Sequence, residues 1–166
     1  GEVLGLVGES GSGKSVTGFS ILGLIEAPGR IAAGSIRLEG RELVGLSHRA
    51  LRGVRGRRVA MVFQDPAATL NPLLTIGQQM RLALSAHRTL AADEARERCV
   101  RALRQVGIPD PEARLESYPH QFSGGMRQRV CIAIALINEP RLIVCDEPTT
   151  ALDVSIQAQI LSEMRK

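Results

Sequence analysis

The sequence has no tryptophan, one tyrosine and three phenylalanines, so aromatic side chains make up 2% of its 166 residues. Platforms that stack unpaired bases are hard to build from so few rings, and a single-strand nucleic-acid binder is not expected. Lysine is nearly absent too: of 21 cationic side chains only Lys14 and Lys166 are lysines. The three cysteines, Cys99, Cys131 and Cys145, are odd in number and show no C-x-x-C spacing. That argues against a disulfide scaffold or a zinc ribbon and fits a reducing cytosol. No stretch of about eighteen apolar residues is present, so no membrane-spanning helix is expected, nor is an export leader. What remains is ordinary for one globular domain, with 44% hydrophobic residues and a net charge of +4. The one dense basic run, Arg49, Arg52, Arg55, Arg57 and Arg58, reads as a solvated face before it reads as a lipid or nucleic-acid patch.

Against that background one octapeptide stands out. Gly8-Glu9-Ser10-Gly11-Ser12-Gly13-Lys14-Ser15 matches the phosphate-cradling pattern G-x-x-x-x-G-K-[ST] at every fixed position. Glycines let successive N–H groups turn into one concavity, and a helix N-terminus adds the positive end of its dipole. Lys14 supplies a compact ammonium for phosphate oxygens, and the Ser15 hydroxyl is suited to Mg²⁺. Keeping a lysine here, in a chain that otherwise uses arginine, points to a need for a point charge on a flexible stem. The flanks agree with the motif: Glu2 to Val7 reads as a short buried strand and Val16 to Ile25 as a helix.

Further along, Ser35 to Glu39 alternates like a half-exposed strand between Gly34 and Gly40. Val59-Ala60-Met61-Val62-Phe63 is continuously apolar, the mark of a strand buried on both faces. Helical periodicity covers Ile76 to about Ala86 and about Asp93 to Val106, with Gly107 and Pro109 as the stop. A polar stretch around Pro111 to Pro119 precedes Met126 to Ile137, a helix apolar nearly all round after Arg129. Leu142-Ile143-Val144-Cys145 is a second buried strand, and a last helix is expected from about Val154. Strands alternating with helices predict an α/β fold with a mainly parallel sheet.

The second buried strand ends in Asp146-Glu147. Carboxylates delivered to the C-terminal edge of a parallel sheet lie where ligands bind in open α/β folds. Asp146 is placed to hold Mg²⁺, and Glu147 to polarise an attacking water. Alone, such a run is weak; beside a phosphate loop it is strong.

Ser123-Gly124-Gly125-Met126-Arg127-Gln128-Arg129 then resembles the L-S-G-G-Q signature of the ABC ATPases. Gln64 falls at that family's Q-loop glutamine, and Ala151-Leu152-Asp153 at its D-loop. The resemblance implies a P-loop NTPase with an inserted helical subdomain: residues 1–64 and 140–166 would be core, and about 65–139 the insertion. It implies ATP and Mg²⁺, with Ser15, Gln64 and Asp146 around the metal, Glu147 and Gln64 organising the water, and Asp153 near the nucleotide. Ser123, Gly124 and Gly125 would close over the γ-phosphate held by a second ABC ATPase subunit, identical or not.

The match narrows at Phe63-Gln64-Asp65-Pro66, Leu70-Asn71-Pro72, Tyr118-Pro119-His120-Gln121 and Pro148-Thr149-Thr150-Ala151-Leu152-Asp153-Val154-Ser155. These look like the dipeptide, oligopeptide and nickel import ATPases, which energise integral-membrane permeases from the cytoplasmic side of the inner membrane. Phe122 departs from the usual signature leucine but keeps an apolar anchor; Met126 in place of glutamine is typical of that branch. The resemblance places an adenine-stacking aromatic before the chain and a switch histidine after it. His48, His87 and His120 all precede the acidic strand and are expected to be surface or packing residues. Two other classes remain open: an ABC ATPase acting on DNA or ribosomes, and a non-catalytic nucleotide-binding module.

Overall fold

The structure, a computed structural model, describes residues 2–148. Helix α1 (Lys14–Leu22) starts directly from the glycine-rich loop, with Gly13 at its N-cap in the left-handed region, φ 94°. It ends at Leu22 rather than Ile25 because Gly23 takes φ 62°. There the Leu24 N–H donates to the Phe19 carbonyl at 2.8 Å and the Gly23 N–H to Ser20 at 3.1 Å, a Schellman closure.

Strands β1 (Arg37–Leu38) and β2 (Arg41–Glu42) form a small antiparallel hairpin. The expected strand over Ser35 to Glu39 is cut short at Leu38. Glu39 and Gly40, at φ 50° and 79°, are the two turn residues, as a tight hairpin requires. Helix α2 (His48–Arg52), capped by the Ser47 hydroxyl, leads to β3 (Val59–Val62). Then come α3 (Pro66–Thr69), α4 (Ile76–Ser85), α5 (Ala92–Gln105) and α6 (Pro111–Arg114). A 3₁₀ turn (Pro119–Gln121), α7 (Gly124–Leu136) and β4 (Leu142–Cys145) complete the described chain. The stretch expected to be a polar connection thus folds into α6 and the 3₁₀ turn, each opened by a proline in its first turn.

β3 and β4 pair in parallel, with Val59 opposite Leu142 and Val62 opposite Cys145. Alternation sends their side chains into two cores. Ala60, Val62, Ile143 and Cys145 join a large cluster with Ile76, Met80, Leu103 and Val130 from α4, α5 and α7. Val59, Met61 and Val144 join Leu22, Leu43 and Val54 on the opposite face. Burial on both faces, as an uninterrupted apolar run predicts, holds for β3; β4 is exposed at Leu142 and half-buried at Ile143, Val144 and Cys145, because β3 is its one strand partner among the described residues. On the second face α1 approaches closely: a Cβ on Gly18 would sit 3.0 Å from a Val144 methyl.

The N-terminal segment differs from expectation. Val3, Leu4, Leu6 and Val7 are 64%, 91%, 60% and 94% exposed rather than buried in a strand. A strand is buried by its neighbours, and no backbone hydrogen bond joins residues 2–7 to another described residue. The helix expected from about Val154, with Ala151, Leu152 and Asp153, lies outside the described residues.

Candidate functional site

The loop from Gly8 to Gly13 is shaped by glycine where nothing else fits. Gly11 and Gly13 hold φ 79° and 94°, and a Cβ on Gly8 would meet the Ser12 hydroxyl at 2.6 Å. The Ser12 N–H donates back to the Glu9 carbonyl at 3.2 Å. Lys14 folds over the same turn, its Nζ donating to the carbonyls of Gly8 and Glu9 at 2.8 Å each. Three ammonium protons minus two leave one directed donor for an incoming phosphate oxygen. Ser15 stands in the first turn of α1, beside the positive end of the helix dipole. Glu9, Ser10 and Ser12 are exposed on the loop rim.

The second half of the site is made by the ends of the parallel strands. The Asp146 N–H donates to the Val62 carbonyl at 3.0 Å, carrying the ladder one step beyond β4. Gln64 Nε2 then donates to Glu147 Oε2 at 2.9 Å. Residues 83 positions apart are thereby joined, and the Gln64 amide oxygen is left as an acceptor. Glu147 sits at φ 47°, an uncommon conformation for a residue with a side chain. Ring contact between Phe19 and Phe63, centroids 6.2 Å apart, holds α1 against this end of β3. Asp146, Gln64 and Ser15 offer a carboxylate, an amide oxygen and a hydroxyl. These are hard-oxygen donors of the kind Mg²⁺ takes beside waters and phosphate oxygens.

The signature segment forms a helix N-terminus. Ser123 is the N-cap of α7, its Oγ accepting from the Met126 N–H at 3.3 Å. A Cβ on Gly124 would meet nothing within 4 Å, so that turn is open. Gly125 follows it in the first turn. Among the described residues no hydrogen bond joins Ser123 to the phosphate loop. Asp153 lies outside the described residues.

Several neighbours were not singled out from sequence. Arg55, one of the basic run, forks onto the C-terminus of α1: Nε donates to the Leu22 carbonyl and Nη2 to Gly23, both at 2.6 Å. Arg58 pairs with Glu39 at 2.5 Å, so two of that run are structural, while Arg49, Arg52 and Arg57 are exposed. Gln128, between Arg127 and Arg129 on α7, is the one polar residue of that helix that is fully buried, 1% exposed, and it donates to the Pro148 carbonyl at 2.9 Å. In the sequence it stands between two arginines, and nothing there marks it as the buried one of the three. A cleft of about 500 Å³ opens beside β3 between Phe63, Leu70, Gln79, Leu82, His87 and Ile134. His120 stacks on Tyr118 with centroids 5.8 Å apart. Burial pushes the Cys145 thiol up to about 11 and Cys131 up to about 12. Both stay protonated at neutral pH and are poor nucleophiles.

Known proteins resemble this chain in sequence and fold. The family model described as "ABC transporter" matches residues 1–150. The dipeptide transport ATP-binding protein DppD of Haemophilus influenzae is 53% identical over 161 residues, covering 97% of this chain and 49% of that protein. The oligopeptide transport ATP-binding protein OppD of Bacillus subtilis is 52% identical over 166 residues, covering 99% and 46%. The chain thus spans about half the length of these relatives. Among solved structures, the dimeric bacterial ABC transporter cassette MJ0796 superposes with a TM-score of 0.83 at 31% identity. The match covers 95% of this chain and 66% of that one. A post-hydrolysis dimer of the same cassette, bound to ADP and Pi, gives 0.80.

Proposed function

The chain belongs to the ABC transporter family, and from that premise we propose that it is the ATP-hydrolysing part of an importer for peptides or nickel. The observation that carries the proposal is the Gln64–Glu147 hydrogen bond. It fixes a carboxylate at the end of a parallel strand pair against which the helix of the phosphate loop is packed. The identities to DppD and OppD support the choice of peptide as cargo.

In this reading the loop N–H groups and Lys14 bind the β- and γ-phosphates of ATP and offset their charge. Mg²⁺, held through Ser15, Asp146 and the Gln64 oxygen, would neutralise charge developing on the phosphate oxygens. Glu147 accepts a proton from the attacking water as its oxygen bonds to the γ-phosphorus and the bond to the ADP oxygen breaks. Gln64 orients Glu147 for that transfer. Ser123, Gly124 and Gly125 would serve a second copy or a related ATPase, in a sandwich with two nucleotides, and Asp153 would lie near the nucleotide.

We place the division between core and helical insertion at residues 1–64 plus 140–166 against about 65–139. The cleft beside Phe63 and Gln79 would receive a short helix of the permease. No described helix is long and apolar enough to cross a membrane; in this reading attachment to the cytoplasmic face would run through that permease.

The test is ATP turnover by the complete protein with and without permease in lipid vesicles, and separately with DNA or RNA. Stimulation by permease alone supports the proposal. Stimulation by nucleic acid alone replaces it with an ATPase of another kind, and binding without turnover makes it a nucleotide-binding module.

A further inference from the structure

Gln128 is the fully buried polar residue of α7, set between Arg127 and Arg129. The helix that follows, Val130, Cys131, Ile132 and Ala133, is buried and apolar, and a buried amide is unfavourable unless it is hydrogen-bonded. Its Nε2 donates to the Pro148 carbonyl at 2.9 Å, while its buried Oε1 has no partner among the described residues. Pro148 follows Glu147, whose left-handed φ of 47° must be held by its surroundings. The turn is in fact held at successive points. The Asp146 N–H is bound to Val62 before it, the Glu147 carboxylate to Gln64 within it, and the Pro148 carbonyl to Gln128 after it.

We propose that Gln128 is a positioning residue for Glu147: its amide fixes the backbone just past the carboxylate and ties that turn to the helix opened by Ser123. This rests on the ATPase reading above. The cost of leaving the amide unsatisfied on one side is offset by orientation of a group that must stand at the attacking water. α7 thereby carries the Ser123 cap at its first turn and a hold on Glu147 one turn later.

The experiment compares Gln128→Met, Gln128→Glu, Glu147→Gln and the double variant Gln128→Met/Glu147→Gln in the complete protein. ATP binding, steady-state turnover and single-turnover hydrolysis are measured. Methionine keeps the length and removes the amide; glutamate keeps the shape and removes the donor. Both single Gln128 variants should lower kcat about tenfold, the scale of one lost positioning hydrogen bond, with KM for ATP changed by less than about twofold. Because Gln128 acts through Glu147, the double variant should hydrolyse ATP no more slowly than Glu147→Gln alone. Unchanged kcat in the Gln128 variants, a further about tenfold loss in the double variant, or loss of ATP binding would overturn the proposal. Loss of binding would make Gln128 a packing residue. If Glu147→Gln keeps full turnover, the reading of Glu147 falls and this inference with it; if only the Gln128 variants are normal, that reading stands.

Discussion

Replacing Arg55 by alanine strips a guanidinium fork from the last carbonyls of α1, the helix whose other end holds the phosphate loop. Nε reaches the Leu22 carbonyl and Nη2 the Gly23 carbonyl, each at 2.6 Å. Carbonyls at a helix C-terminus lack intrahelical partners, and a cation there also meets the negative end of the dipole. A hydrogen bond to a charged group contributes about 1.5 to 3 kcal/mol. Arg55 is half-buried, so water competes with both bonds and the lower figure applies to each. The dipole term adds about 0.5 kcal/mol, and the expected loss is about 3.5 kcal/mol. Arg55→Lys keeps the charge but can satisfy one carbonyl well, so it should recover about half. Arg55→Met keeps the aliphatic stem and isolates packing from hydrogen bonding. Urea unfolding of the complete protein reads the difference from the midpoint and slope. Alanine and methionine variants within about 0.5 kcal/mol of the parent, the range of an ordinary surface change, would refute the reasoning.

Lys14→Ala should sharply weaken productive ATP binding and Lys14→Arg should not restore it, because a planar guanidinium cannot take the position between the Gly8 and Glu9 carbonyls; nucleotide titration with turnover checks both. Glu147→Gln should bind ATP while hydrolysis falls by at least about a hundredfold, the usual scale for a general base, and the closed dimer should accumulate on sizing with ATP and Mg²⁺. Ser123→Arg should block that dimer while sparing the monomer's own nucleotide binding. The Glu42 carboxyl is held down from 4.5 to about 2, first by the Ser35 hydroxyl and then by the Val44 and Ile36 N–H groups. Its stabilisation is therefore present above pH 4.5 and lost as pH falls toward 2. Acid unfolding of Glu42→Gln should differ from the parent most at neutral pH and converge with it near the lower limit.

The phosphate loop, β3, β4 and the long helices were legible because each depends on local chemistry: glycine spacing, apolar runs, helical period. The helix of the loop was read too long because the Gly23 stop was overlooked, although a glycine after a periodic run is itself the signal. Residues 2–7 were read as buried because apolar residues announce a need for cover and say nothing about what supplies it. Gln128 and Arg55 were missed for a related reason. Their roles rest on partners 20 and 33 positions away, Pro148 and Leu22, which only the fold brings near.

The parallel pair has one more consequence. Its last matched residues are Val62 and Cys145, and Gln64 and Glu147 each stand the same distance past that match. The strands thus act as a pair of rulers with a common zero, and their ends meet only while both are read from it. Deleting one residue from either strand would slide its tip back by about 3.3 Å and turn the following side chain to the opposite face. The Gln64–Glu147 contact would be lost although both residues remained. Length changes should therefore be tolerated in the connections, such as the stretch between α4 and α5, and not within β3, β4 or the few residues beyond them.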